Sequence, residues 1–191
     1  MLQKYSVMNG RIVQGDEGSI QVEVYIMPDE AERSKLINDY EMNEHTIASS
    51  IDPDETPRIE FEDNHTAFIL KYPKNYSADD NFLFRVKSMG IFVFASRVVI
   101  IIDEYVPLFT GKIANNVQDV IMKTLLLTIR HFESHLRVIN MCSDELEHAI
   151  VSSYDGKELL NMFTLEKGLV YYVNALNGNR RVIERMRAAA L

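Results

Sequence analysis

The chain has 191 residues, 47% of them hydrophobic and 25% charged, which is enough apolar side chain to bury a core in one domain or one domain with an appendage. Twenty-eight acidic residues against twenty basic ones give a formal net charge of −8, a field that repels phosphate backbones and anionic headgroups and argues against nucleic acid as a partner. The lone cysteine, Cys142, cannot close an internal disulfide, and its apolar helical surroundings predict a small buried hydrophobe in a reducing compartment.

Met1 to Gln14 alternate polar and apolar side chains and lack the basic start and continuous apolar core of a signal peptide. Val, Ile, Phe and Tyr then recur at period two between Gly, Asn and Asp breakers through the first two-thirds of the chain. The predicted strands are Tyr5–Val7, Arg11–Val13, Ile20–Ile26, Arg58–Phe61, Ala67–Tyr72, Phe82–Met89, Gly90–Ala95 and Val98–Ile102. The last is nearly all apolar, as befits a strand covered on both faces. Two short helices are expected early, one opening at Pro28-Asp29 and running to Tyr40, the other Glu44–Ser50. The most apolar stretch, Ile91–Ile102, is interrupted by Arg97 and falls short of the roughly 20 residues a membrane-spanning helix needs.

Beyond Asp103 the pattern changes. Asn116 to Ser153 contain no Gly or Pro, and Val117, Ile121, Leu125, Ile129, Phe132, Leu136, Ile139, Leu146 and Ile150 recur at helical spacing. A break at Ser152–Gly156 precedes a second predicted helix, Lys157–Leu191, whose expected seam is Leu160, Phe163, Leu169, Val173, Leu176, Ile183 and Met186. The fold class expected is α/β: a mixed, largely antiparallel sheet layered between helices (residues 1–115), followed by a long antiparallel helical hairpin (residues 116–191). Each helix would be about 50 Å long, so part of the hairpin must lie beyond the sheet and suits contacts with neighbouring protomers or a further helix. Arg187-Ala-Ala-Ala-Leu191 carries no stop signal, so the helix is expected to continue past Leu191.

Catalytic signatures are absent from the sequence. No Gly-rich phosphate loop or Walker sequence follows a strand, and no serine sits in a nucleophile elbow. His131 and His135 share a helix face, but Phe132 stands where a zinc hydrolase needs its glutamate, and Glu133 points elsewhere. No enzyme is expected.

Two segments carry a family resemblance. Asp52-Pro-Asp-Glu-Thr-Pro-Arg-Ile-Glu-Phe-Glu-Asp63, followed by the strand His65–Tyr72, is similar to the acidic loop, proline-basic pair and glutamate strand of CorA-type magnesium transporters. Leu165-Glu-Lys-Gly-Leu-Val-Tyr-Tyr-Val-Asn-Ala-Leu-Asn-Gly-Asn179, followed by Val182-Ile-Glu-Arg-Met186, resembles the family's helix with its Glu-Lys pair, Leu-Val pair and Asn-containing turn. The resemblance implies the cytoplasmic regulatory domain of a divalent metal ion (Mg²⁺/Co²⁺) transporter that lies at the cell membrane, assembles as a homopentamer and reaches the bilayer through segments following this chain. It further implies regulatory rather than catalytic Mg²⁺, with Co²⁺ or another divalent cation as the alternative occupant, bound between subunits near Asp52, with Asp54 and Glu55 behind it. Ser49 and Ser50 stand where many relatives have an acid, and the same three acids also suit an ordinary turn. The alternative is a stand-alone soluble scaffold or partner-binding module with a coiled-coil hairpin.

Overall fold

A computed structural model describes residues 1–15, 17–18, 20–106, 113–152 and 156–189. The first strand, β1 (Leu2–Met8), turns back into β2 (Arg11–Gln14) through Asn9-Gly10, both at positive φ, the residues and backbone that a tight hairpin turn requires. β3 (Ile20–Ile26) then pairs with the other edge of β1. Two helices follow, α1 (Glu30–Asn38) and α2 (Glu44–Ser49). Asp29 and Glu32 close a reciprocal capping box on α1, and Asn43 caps α2. β4 (Arg58–Phe61), β5 (Thr66–Pro73), β6 (Val86–Val93) and β7 (Arg97–Ile102) form a meander. All seven strands make one sheet in the order β2-β1-β3-β7-β6-β5-β4, antiparallel except where β3 and β7 run parallel at its centre.

The sequence predicts two strands between Phe82 and Ala95; the structure has one, Val86–Val93. Asn81 and Phe82 lie at positive φ, and Phe84 leaves the sheet to enter the core between the long helices. Gly90 is mid-strand and marks a close approach: a Cβ there would strike the Ser50 side chain, so the glycine lets α2 settle onto the sheet.

Each face of the sheet has its own core. Tyr25, Ala67, Phe92, Val99 and Ile101 pack against Leu36, Met42 and Ile47 of the α1–α2 side. Val22, Phe68, Leu70, Ile91, Val98 and Ile100 pack against Val120, Ile121, Leu125, Val182 and Met186 of the two long helices, α3 (Val117–Ser152) and α4 (Gly156–Ala188). Val98 to Ile102 are therefore buried from both sides, as their unbroken apolar run requires. At 36 and 33 residues α3 and α4 outrun the sheet, and a third core of Phe84, Phe132, Ile139, Leu146, Leu165, Tyr172 and Ala175 holds them together there. The expected break at Ser152–Gly156 falls largely on residues 153–155, and the expected helix end on residues 190–191; both lie outside the described residues.

The seam of α4 is not the predicted one. Its buried positions are Leu165, Gly168, Tyr172, Ala175, Gly178, Asn179, Val182 and Met186, whereas Leu160, Phe163, Leu169 and Val173 are exposed. Apart from Gly178, the buried residues recur at steps of three and four, but they include glycines, where α4 lies close to its neighbours, and Asn179, which bonds the β5 backbone. A Cβ on Gly168 would sit 3.1 Å from the Phe84 backbone, and one on Gly178 would sit 2.6 Å from the Pro57 ring.

Candidate functional site

The acidic loop joins α2 to β4 at the sheet edge. Its shape begins with Asp52, whose carboxylate accepts the Asp54 N–H at 2.9 Å while its carbonyl accepts the Glu55 N–H at 3.3 Å. The aspartate thus closes a turn on its own backbone. Asp52 and Asp54 are exposed; Glu55 is half-buried and committed. The Ser49 hydroxyl donates to Glu55 at 2.7 Å, and the Arg58 guanidinium pairs with it at 2.8 Å. That hydroxyl first, with Arg58 adding to it, holds the Glu55 carboxyl below its ordinary range. Arg58 also reaches Glu60, which accepts from Thr46 at 2.8 Å. Burial works to raise the Glu60 pKa, but the bonds from Arg58 and Thr46 outweigh it and the group titrates low. Ser49 and Ser50 are both buried: Ser49 serves Glu55, and Ser50 bonds the Thr46 carbonyl above Gly90. Neither position is open to a cation.

Beneath the loop lies Lys71 of β5, only 6% exposed. Its ammonium donates to the Pro53 carbonyl at 2.6 Å and to the Ser88 hydroxyl at 2.9 Å, and Ser88 passes a further hydrogen bond to the Asp52 carbonyl. Burial pushes the lysine pKa down, opposed by the charges of Asp52, Asp54 and Glu55. The Lys71 backbone is held as firmly. β4 pairs Arg58 with Ile69, so two residues further on its register would bring Thr56 opposite Lys71, but Pro57 intervenes and the strand has ended. Asn179 of α4 takes the vacated place, accepting the Lys71 N–H at 2.8 Å and donating to the Lys71 carbonyl at 2.7 Å. Between loop and α4 runs a cleft of about 410 Å³ lined by Asp54, Glu55, Lys71, Asn174, Asn177 and Arg181 among others.

Among the described residues no three His, Cys, Asp or Glu side chains converge as a metal site within one chain. The histidine pair is spoken for: His135 Nδ1 lies 2.7 Å from the Tyr172 hydroxyl, and the His131 ring meets His135 edge-on at 4.6 Å. Burial, with the neighbouring His131 adding to it, pushes His135 down to about 4. Sequence reasoning singles out the loop acids but not Lys71 and Ser88 beneath them. A lysine inside the apolar run Phe68-Ile-Leu-Lys-Tyr72 was the available signal.

A profile of the family described as "CorA-like Mg2+ transporter protein" matches residues 24–191. The fold is similar to the complete CorA magnesium transporter from Methanocaldococcus jannaschii (TM-score 0.82, 17% identity), with 97% of this chain covered and 62% of that one. It is also similar to the soluble domain of CorA from the same organism (TM-score 0.80, 19% identity, 95% and 77% covered). A third similar structure is the ZntB cytoplasmic domain from Vibrio parahaemolyticus (TM-score 0.65, 12% identity, 96% and 79% covered). The chain thus spans less than two-thirds of the complete transporter's length, and no helix among the described residues is long and apolar enough to cross a membrane. No curated protein matches in sequence. With residues 24–191 of its 191 matched and its sheet, layering and hairpin shared with these structures, the chain belongs to the CorA-like Mg²⁺ transporter family.

Proposed function

We propose that the chain is the cytoplasmic, cation-responsive part of a divalent metal ion transporter that carries Mg²⁺ or Co²⁺, with the cations that regulate it bound between neighbouring protomers of a homopentamer. Family membership supports the transporter assignment. The observation that carries cation response is the acidic loop: two exposed carboxylates, Asp52 and Asp54, stand on a backbone already fixed by Lys71 and Ser88. Asp52 and Asp54 are hard oxygen donors with open sides, which fits Mg²⁺, an ion that keeps several waters and takes one or two carboxylates. Glu55, occupied by Ser49 and Arg58, adds charge behind them. A site that needs oxygens from a second protomer ties cation affinity to subunit geometry, since unscreened carboxylates across an interface repel. No catalytic step is assigned to any residue.

The whole gene product, placed in liposomes, is expected to pass Mg²⁺ or Co²⁺ down a gradient. Its soluble part is expected to become more protease-resistant as Mg²⁺ rises to high millimolar. A preparation that passes neither ion and whose cleavage pattern ignores Mg²⁺ would sink the assignment.

A further inference from the structure

Lys71 is held from two sides by different parts of the molecule. Its backbone N–H and C=O both end on the Asn179 amide of α4, and its ammonium ends on the loop, directly at Pro53 and through Ser88 at Asp52. The two carbonyls it grips precede or belong to the residues that carry the exposed carboxylates Asp52 and Asp54. The same turn of α4 touches the loop again where Gly178 abuts the Pro57 ring. Neither linkage stretches at little cost. Withdrawing Asn179 leaves a buried donor and a buried acceptor unpaired at the end of β5, and withdrawing the ammonium strands a charge that is almost wholly out of water. A shift of α4 therefore carries the strand end, and the strand end carries the loop. Elsewhere an open cleft, lined by both Asn174 and Asp54, lies between the helix and the loop acids.

We propose that Lys71 is the positioning residue through which α4 sets the shape of the acidic loop, so that displacement of the helical hairpin and cation occupancy of the loop are linked reciprocally. The cation half of this statement rests on the function proposed above; the mechanical half does not.

Hydrogen exchange on the whole gene product, read by peptide mass spectrometry with and without Mg²⁺, separates the two. Asn179→Leu removes both amide bonds and Asn179→Asp only the donated one, while Asn174→Leu changes the cleft without touching Lys71. Asn179→Leu is expected to speed exchange over residues 50–57 about tenfold, Asn179→Asp by less, and Asn174→Leu not at all, with β1 and β2 unchanged throughout. Lys71→Met is expected to transmit the effect in the opposite direction, loosening residues 176–182. In the unsubstituted protein Mg²⁺ is expected to slow exchange in both the loop and α4, and in Asn179→Leu in the loop alone. Wild-type rates over 50–57 in Asn179→Leu, or acceleration spread evenly over the sheet as global destabilisation would produce, overturns the linkage. Mg²⁺ leaving the unsubstituted protein unchanged overturns the cation half, and the substitutions still decide the mechanical half.

Discussion

Ser50 lies over Gly90 so closely that the strand can carry no side chain there: the missing Cβ is the space that the serine fills. Gly90→Ala is therefore expected to force α2 away from the sheet at a cost of about 1–3 kcal/mol, the usual range for overpacking a filled core. Urea unfolding of the substituted and unsubstituted proteins measures it. A loss below about 0.5 kcal/mol, the ordinary scatter for a surface change, would show that α2 yields freely.

Asp52→Asn and Asp54→Asn separate a cation role from a turn role. Both side chains are exposed, and the Asp52 amide oxygen can still accept the Asp54 N–H, so stability should stay within about 0.5 kcal/mol. The Mg²⁺ concentration needed for protease protection should rise severalfold in each and further in the pair. Unchanged Mg²⁺ dependence in the double substitution would remove these acids from the cation response.

The Glu55 and Glu60 carboxyls titrate below their ordinary value in the folded chain. For a carboxyl lowered by folding, the stabilisation is present above the unfolded pKa of about 4.5 and is lost as pH falls through the folded value. Melting temperature should thus decline below about pH 4.5, and Glu55→Gln should flatten part of that decline while lowering the neutral-pH value. An acid limb of the same steepness in Glu55→Gln would show that the Ser49 and Arg58 contacts contribute nothing to it.

His135 works in a different window. Its folded pKa of about 4 lies below the ordinary 6.5, so the unfolded chain binds the extra proton between those values and stability falls as pH drops from 6.5 towards 4. Allowing for partial solvent access, the whole effect is about 2 kcal/mol. His135→Phe removes the titration, at the expense of the Tyr172 hydroxyl's partner. Its stability should be lower at pH 7.5 and less sensitive to pH between 6.5 and 4.5. A slope equal to that of the unsubstituted protein would assign the dependence to His131 or elsewhere.

How much of this was legible in the sequence depended on whether burial and hydrophobicity coincide. They do in β7, where Val98 to Ile102 are apolar and covered on both faces, and in most of α3, whose periodic residues are largely the buried ones. They part company on α4, where Gly168 faces inward because Phe84 comes too close for a side chain, Asn179 because it bonds the Lys71 backbone, and Phe163 and Val173 face out. Gly90 misled for the same reason, since a glycine that admits a neighbour reads like a glycine that breaks a strand. At the candidate site the acids are visible as a run, from Asp52 to Glu55. Their support is not, because Lys71 and Asn179 stand 108 positions apart and only the folded sheet edge brings them together.

The parallel pairing among the described strands, β3 with β7, is also where the chain closes its widest circuit within the sheet: Gln21 lies opposite Arg97, 76 positions later. On one side of that seam stands a three-stranded piece built from the first 26 residues, with β1 between β2 and β3, and on the other a four-stranded meander in which each strand lies beside its neighbour in sequence. Each piece can form quickly, whereas zipping them together must meet the entropy of a long loop before any ladder bond repays it. Acquisition of the native state should accordingly be governed by this one late joining. Changes at Val22, Val24, Val98 or Ile100 should slow refolding more than changes of equal severity in the outer strands.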